Sequence, residues 1–249
     1  MRKKTILQEQ NSFPGITTRK LSRNVNIVCT AYSEAQFHLK RKVKLFGNPV
    51  RNNIFTQNKN QAYKKYKLNP KKPIILILGG SQGSKPLNEY FIKKYKKYSN
   101  QNIQILWQTG KCHFNKLKKH MSDKNVTLIP FIENMGTAYS IADIVVTRSG
   151  AMVIEELKLL SKVMVLIPFP KASGDHQTKN ALALKKNNAA IHFPQHKLES
   201  SNLEKLLFDL IKDENKKNIL SQNAKAMSFP NALSDICEVI EKLGNDKYV

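Results

Sequence analysis

Cysteine is scarce in this sequence, and the scarcity excludes a class of folds. Its three cysteines, Cys29, Cys112 and Cys237, are far apart and odd in number. Their spacing suggests neither a disulfide framework nor a zinc site. A reducing cytoplasm is the expected setting. Long apolar runs are missing too. No stretch reaches the length of a bilayer crossing, and no apolar signal-peptide segment is visible. Any membrane contact is expected to be peripheral. Aromatics make up only 8% of the residues, with a single tryptophan, Trp107. A core must therefore come mostly from Ile, Leu and Val. His38, His113, His120, His192 and His196 lack metal-ligand spacing, and no Ser-His-Asp or Cys-His arrangement can be argued. No acidic metal-binding cluster of the Asp-x-Asp kind is visible, so neither a metal nor a cofactor is expected.

Acidic residues are few as well. Lys and Arg total 42 against 18 Asp and Glu, a net charge of +24 and a pI near 9.9. Such a balance suits a nucleic-acid-binding module, the one reading motivated by charge alone. Against it, Lys far outnumbers Arg and is scattered through nearly every segment, whereas backbone readers concentrate charge and favour Arg. No nucleic-acid partner is expected. A weak attraction to an anionic membrane surface follows from the charge itself.

What is present is an alternation of short apolar runs and amphipathic stretches. Residues 74–78 (IILIL), 103–107, 126–129, 144–147 (IVVT) and 163–167 (VMVLI) read as buried strands. Between them, residues 87–98, 114–121, 151–160 and 177–186 carry helical patterns. Strands alternating with helices predict a parallel sheet covered on both faces. The first seventy residues differ. Strand-like runs at 5–7, 25–29 and 43–46 are too closely spaced for a complete domain. Residues 1–50 are expected to be the remnant of an N-terminal domain. Residues 51–73 read as a hinge with a short helix near 61–66. Residues 74–230 read as a C-terminal domain, and 231–249 as a terminal helix with Leu233, Ile236, Cys237, Ile240 and Leu243 on one face.

Three turns follow strands and open helices. Gly79-Gly80-Ser81-Gln82-Gly83-Ser84 suits a phosphate, because glycines allow close backbone approach and a helix start offers free N–H groups. A ligand-free tight turn is the plain alternative. Arg148-Ser149-Gly150-Ala151 is followed by Glu155 and Glu156, and a carboxylate there can accept both hydroxyls of a ribose. Favourable placement near a helix start is the plain alternative. Asp175-His176-Gln177 offers side chains to sugar hydroxyls, or merely an N-cap from Asp175. Together the turns point to a phosphate-and-polyol ligand at the carboxyl ends of parallel strands.

The segments LQEQNSFPGIT, GNPVR, LGGSQGS, WQTGK, FIENM, ADIVVTRSGAM..EE and DHQTKNA stand in the order seen in the MurG-type UDP-GlcNAc transferases. The sequence resembles that family from about Ile6 to about Phe193. The resemblance implies an α/β GT-B fold of two Rossmann-like domains, with UDP-GlcNAc held by the C-terminal one and the N-terminal one facing acceptor and membrane. It implies transfer of GlcNAc to lipid I, giving lipid II in peptidoglycan synthesis, at the cytoplasmic face of the cell membrane. By motif, Asn11 lies near the transferred sugar and Arg51 near the diphosphate. Ser81 contacts the diphosphate, and Ile132 holds uracil through its backbone. Ala151, Met152 and Glu156 belong to the helix start beneath the diphosphate, with Glu156 on the ribose. Gln177 bonds the GlcNAc hydroxyls, and Asn180 supports that loop. Two departures stand out. Gln8 takes the place of a frequent His before the Glu-Gln-Asn motif. The family's GGTGGH loop, with its favoured catalytic base, has no counterpart here, so the base is expected in a segment supplied elsewhere. A separate N-terminal half polypeptide is one candidate partner.

Overall fold

The computed structural model describes residues 3–39, 41–200 and 202–245. A first lobe holds three strands, β1 (Ile6–Glu9), β2 (Ile27–Thr30) and β3 (Lys44–Leu45), with α1 (Ile16–Leu21) and α2 (Ala35–Leu39) between them. After α3 (Lys59–Tyr66) the second lobe alternates regularly. It runs β4 (Ile74–Leu78), α4 (Lys85–Asn100), β5 (Gln104–Gln108), α5 (Lys111–Lys119), β6 (Val126–Ile129) and α6 (Met135–Ile141). It continues β7 (Ile144–Thr147), α7 (Ala151–Leu159), β8 (Val163–Leu166), α8 (His176–Lys186) and β9 (Ile191–His192). Helices α9 (Asn202–Lys212), α10 (Glu214–Ala226) and α11 (Ala232–Gly244) follow.

Both sheets are parallel. The first has the order β1-β2-β3, the second β6-β5-β4-β7-β8-β9. The unbroken apolar strands are explained by burial on two faces. Ile74, Leu76 and Leu78 enter one core with α3, α6, α7 and α8. Ile75 and Ile77 enter another with α4, Trp107 and α9. Each fully buried Ile or Leu contributes about 1.5–3 kcal/mol of burial free energy. The architecture is the α/β GT-B type expected from the sequence, with one full Rossmann-like lobe and part of a second.

Two segments sit differently from a linear division of the chain. Ala62, Tyr66 and Leu68 pack into the second lobe's core, so only part of the stretch 51–73 acts as a connector. The terminal helix α11 returns to the first lobe, where Val239 and Leu243 cover Ile27, Cys29, Ile6 and Phe46. It is the partner of the small sheet rather than an appendage. Ala31 and Tyr32 of the first lobe also join the second lobe's core cluster, so the lobes share packed surface.

The strand order fixes where a ligand fits. From β4 the chain steps outward to β5 and β6, then restarts on the other side of β4 with β7. The loops leaving β4 and β7 therefore diverge, opening a crevice at the carboxyl ends of the strands.

Candidate ligand-binding site

That crevice is a cavity of about 780 Å³. Its wall includes Arg51, Ser81, Ile132, Glu156 and Gln177, five residues that lie far apart in sequence. The Gly-rich loop reaches it because two glycines interlock. A Cβ on Gly83 would lie 2.2 Å from the Thr109 carbonyl oxygen, and one on Gly110 would lie 2.5 Å from that of Gln82. Both have left-handed φ values, 80° and 82°. Only glycine fits at either position. Ser81 is exposed at the loop tip.

Two side chains tie the loops together. Gln108 donates from Nε2 to the Gly80 carbonyl at 3.0 Å and accepts the Ile132 backbone N–H on Oε1 at 2.8 Å. The Ile132 N–H is thus already bonded within the protein, so a backbone contact from this residue to a base would use its carbonyl. Arg148 donates from Nη1 to the carbonyls of Ile167 and Pro168, and from Nη2 to Ser84 Oγ and Gln195 Oε1. Burial lowers its guanidinium to about 10, still far above neutrality. It holds the start of α4 against the end of β8. The motif that contains it was legible in sequence, but its role as a bracket was not.

Glu155 and Glu156 separate completely. They are the fifth and sixth residues of α7, beyond the turn where the helix dipole matters. Glu155 is buried away from the cavity, where Lys158 Nζ meets its Oε2 at 3.0 Å. Glu156 faces the cavity, and its Oε2 accepts a hydrogen bond from the Tyr139 hydroxyl at 2.9 Å. Burial raises its carboxyl above the ordinary value, partly offset by the Tyr139 bond and by the charge of Arg51. Tyr139 was missed in the sequence because α6 was not recognised. Its signals were the Asn134 cap, which accepts from the Thr137 N–H, and apolar positions 135, 138, 139, 141 and 142 at helical spacing. The short length and internal Gly136 hid it. Gly136 is there because a Cβ would lie 2.8 Å from the backbone of Ile54.

At the last loop, Gln177 Oε1 accepts the Phe169 N–H at 2.9 Å, which fixes its amide at the cavity wall. Asp175 occupies the cap position of α8, yet it has φ of 54° and its side chain makes no capping bond. The N-cap alternative for this residue does not hold.

Three expected residues lie off the cavity wall. Asn11 bonds Glu9 through Nδ2 and accepts from Asn180 on Oδ1. Asn180 also accepts from the Ser12 N–H and hydroxyl and donates to the Ser149 carbonyl. The pair ties the lobes together. Ala151 opens α7 one residue after Gly150, which does line the cavity. Met152 points outward, 41% exposed, because each helical residue turns about 100° from the last. Among the described residues no cluster of His, Cys, Asp or Glu is placed to hold a metal ion.

Residues 74–236 match the family described as Glycosyltransferase family 28 C-terminal domain. The UDP-N-acetylglucosamine–N-acetylmuramyl-(pentapeptide) pyrophosphoryl-undecaprenol N-acetylglucosamine transferase of Flavobacterium psychrophilum is 41% identical over 243 residues, covering 96% of this chain and 66% of its own. The transferase of the same name from Christiangramia forsetii is 36% identical, covering 98% of this chain and 67% of its own. The crystal structure of MurG from Acinetobacter baumannii matches with a TM-score of 0.77 at 29% identity, covering 96% of this chain and 67% of that one. The chain thus spans about two thirds of the length of these relatives.

Proposed function

The chain belongs to glycosyltransferase family 28, and on that premise we propose that it is the donor-binding part of a MurG-type transferase, binding UDP-GlcNAc in the cavity at the β4/β7 crevice. The observation that carries the reading is the meeting of the Gly-rich loop, the α7 start with Glu156, and Gln177 on one wall. In this reading the diphosphate lies against the backbone of the Gly-rich loop and the start of α7. The ribose lies on Glu156, uracil near Ile132, and GlcNAc near Gln177, with Arg51 facing the diphosphate.

The proposed reaction is transfer to lipid I. The 4-hydroxyl of MurNAc attacks C1 of GlcNAc, the bond from C1 to the diphosphate oxygen breaks, and its electron pair leaves with UDP. Attack opposite the leaving group inverts the anomeric centre. N–H groups aimed at the diphosphate stabilise its growing charge, and losing one such donor costs about 3 kcal/mol. The role is electrostatic and is proposed to need no metal. A base that takes the hydroxyl proton is expected in the N-terminal portion of the enzyme. The proposed location is the cytoplasmic face of the cell membrane. The +24 charge favours anionic lipid, and among the described residues no helix is long and apolar enough to cross a membrane.

A second reading is a UDP-GlcNAc-binding module that is inactive without an N-terminal half. It is favoured by the two-thirds coverage of the relatives. Calorimetry with UDP-GlcNAc tests binding. Nucleic-acid binding with steep salt dependence and no UDP-GlcNAc affinity would replace both readings. Transfer to a lipid I analogue, with and without the N-terminal third of the Flavobacterium psychrophilum transferase, separates an active chain from one that needs a partner.

A further inference from the structure

Tyr139 stands where a ligand's selectivity can be set without touching the ligand's reacting atoms. It is fully buried, yet it borders the cavity beside Glu156. Its hydroxyl donates to Glu156 Oε2 at 2.9 Å. Among the described residues no other hydrogen bond to the Glu156 side chain is found. A glutamate side chain has three rotatable bonds, so a carboxylate held only by its own torsions would sample several orientations. A carboxylate offers about four lone-pair sites. With Tyr139 on one of them, the plane of the group is fixed and the others remain for a ligand.

The tyrosine is itself immobile. Its ring is part of the core between the sheet and α7. Helix α6 is pinned at Gly136 against Ile54 and by Thr137 Oγ1 donating to Gln57 Oε1 at 2.6 Å. Burial and the neighbouring carboxylate push the Tyr139 phenol well above its ordinary value, so the shared proton stays on the tyrosine and the bond keeps its direction.

We propose that Tyr139 is a positioning residue: it orients the Glu156 carboxylate toward the cavity and thereby sets a preference for a ribose nucleotide over its deoxyribose counterpart. The proposal rests on the assignment of Glu156 to the ribose. A diol presents two donors to one carboxylate, and only a carboxylate in a fixed plane meets both.

The test compares affinities for UDP and for deoxyuridine diphosphate by calorimetry in the wild type, Tyr139→Phe, Glu156→Gln and the double variant. Wild type is expected to prefer UDP. Tyr139→Phe keeps the ring and removes only the hydroxyl. It should reduce that preference about tenfold, the scale of one hydrogen bond to a charged group. Glu156→Gln should abolish the preference, and adding Tyr139→Phe to it should change nothing further. A Tyr139→Phe protein with a lower melting temperature but an unchanged preference overturns the proposal, leaving the ribose assignment intact provided Glu156→Gln still loses the preference. If Glu156→Gln also retains the preference, the ribose assignment has failed and the proposal falls with it.

Discussion

Glu155 and Glu156 are adjacent on one helix, yet they serve two different regions of the molecule. Glu155 lies in the seam between the lobes. There Lys158, only 1% exposed, pairs with it at 3.0 Å, donates to the Met227 carbonyl at 2.8 Å and faces the rings of Tyr32 and Phe229. Backbone N–H groups of Phe229 and Asn48 also turn toward the carboxylate. Burial raises the Glu155 carboxyl and lowers the Lys158 ammonium, and their mutual attraction opposes both shifts. Glu156 lies on the cavity wall with a neutral phenol as its hydrogen-bond partner. The seam meets a buried charge with an opposite charge in a closed, packed setting. The cavity meets one with a single neutral hydrogen bond and leaves lone pairs facing open space. A paired charge in a closed seam marks a joint, and a carboxylate with unused lone pairs at a cavity marks a site open to ligand.

The largest expected effect breaks the joint. Lys158→Met leaves Glu155 buried without its cation and should cost about 3–5 kcal/mol in denaturant unfolding. The UDP affinity of the folded fraction should stay unchanged, and a parallel loss of affinity would show that seam and cavity are not separable. Next comes a pair of glycines. Gly47 has φ of 82°, and its Cβ would lie 2.4 Å from that of Phe229. Gly47→Ala should therefore combine a left-handed penalty of about 1–2 kcal/mol with an overpacking cost of about 1–3 kcal/mol. Gly80 in the Gly-rich loop has φ of 86° but nothing within 4 Å, so Gly80→Ala should lose only the first. Thermal unfolding of the two variants side by side reads the difference.

On the cavity side, Glu156→Ala should weaken UDP binding by about 1–3 kcal/mol, the scale of a lost charge-assisted hydrogen bond. Unchanged affinity in calorimetry would count against the ribose assignment. The smallest effect is that of pH. The Glu156 carboxyl is raised in the folded chain, so acidification protonates it before an ordinary carboxyl. UDP affinity should fall as pH falls through that raised value, and Glu156→Gln should flatten the dependence. The effect on stability has the opposite sense. The folded chain holds this proton more tightly than the unfolded one, so the group's contribution is largest at low pH and is lost as pH rises through the folded value.

Much of the second lobe was legible because its strands are buried on both faces and therefore read as continuous apolar runs. IILIL at 74–78 and IVVT at 144–147 fall on β4 and β7 without adjustment. Helix α6 was not legible, since seven residues with a glycine among them carry too little periodicity, and Tyr139 was lost with it. The resemblance to known transferases supplied Arg51 and Ile132 as candidates, whereas Ser81, Glu156 and Gln177 already stood in the three turns, where composition and spacing alone reached only a phosphate-and-polyol ligand. Asn11 and Met152 lie off the cavity wall for different reasons. Asn11 is bonded to Asn180, a residue 169 positions away in sequence. The Met152 side chain is turned outward by the rotation of its helix.

The strands of the second lobe, the longer helices between them, the glycines at their turns and the family were written in local sequence, because each is read from residues within a few positions of one another. Which of two adjacent glutamates faces the cavity, which amide is already bonded to Gln108, and which lobe receives the last helix were decided only by packing. These outcomes depend on contacts between residues tens of positions apart, and a linear pattern does not encode the angle at which such segments meet.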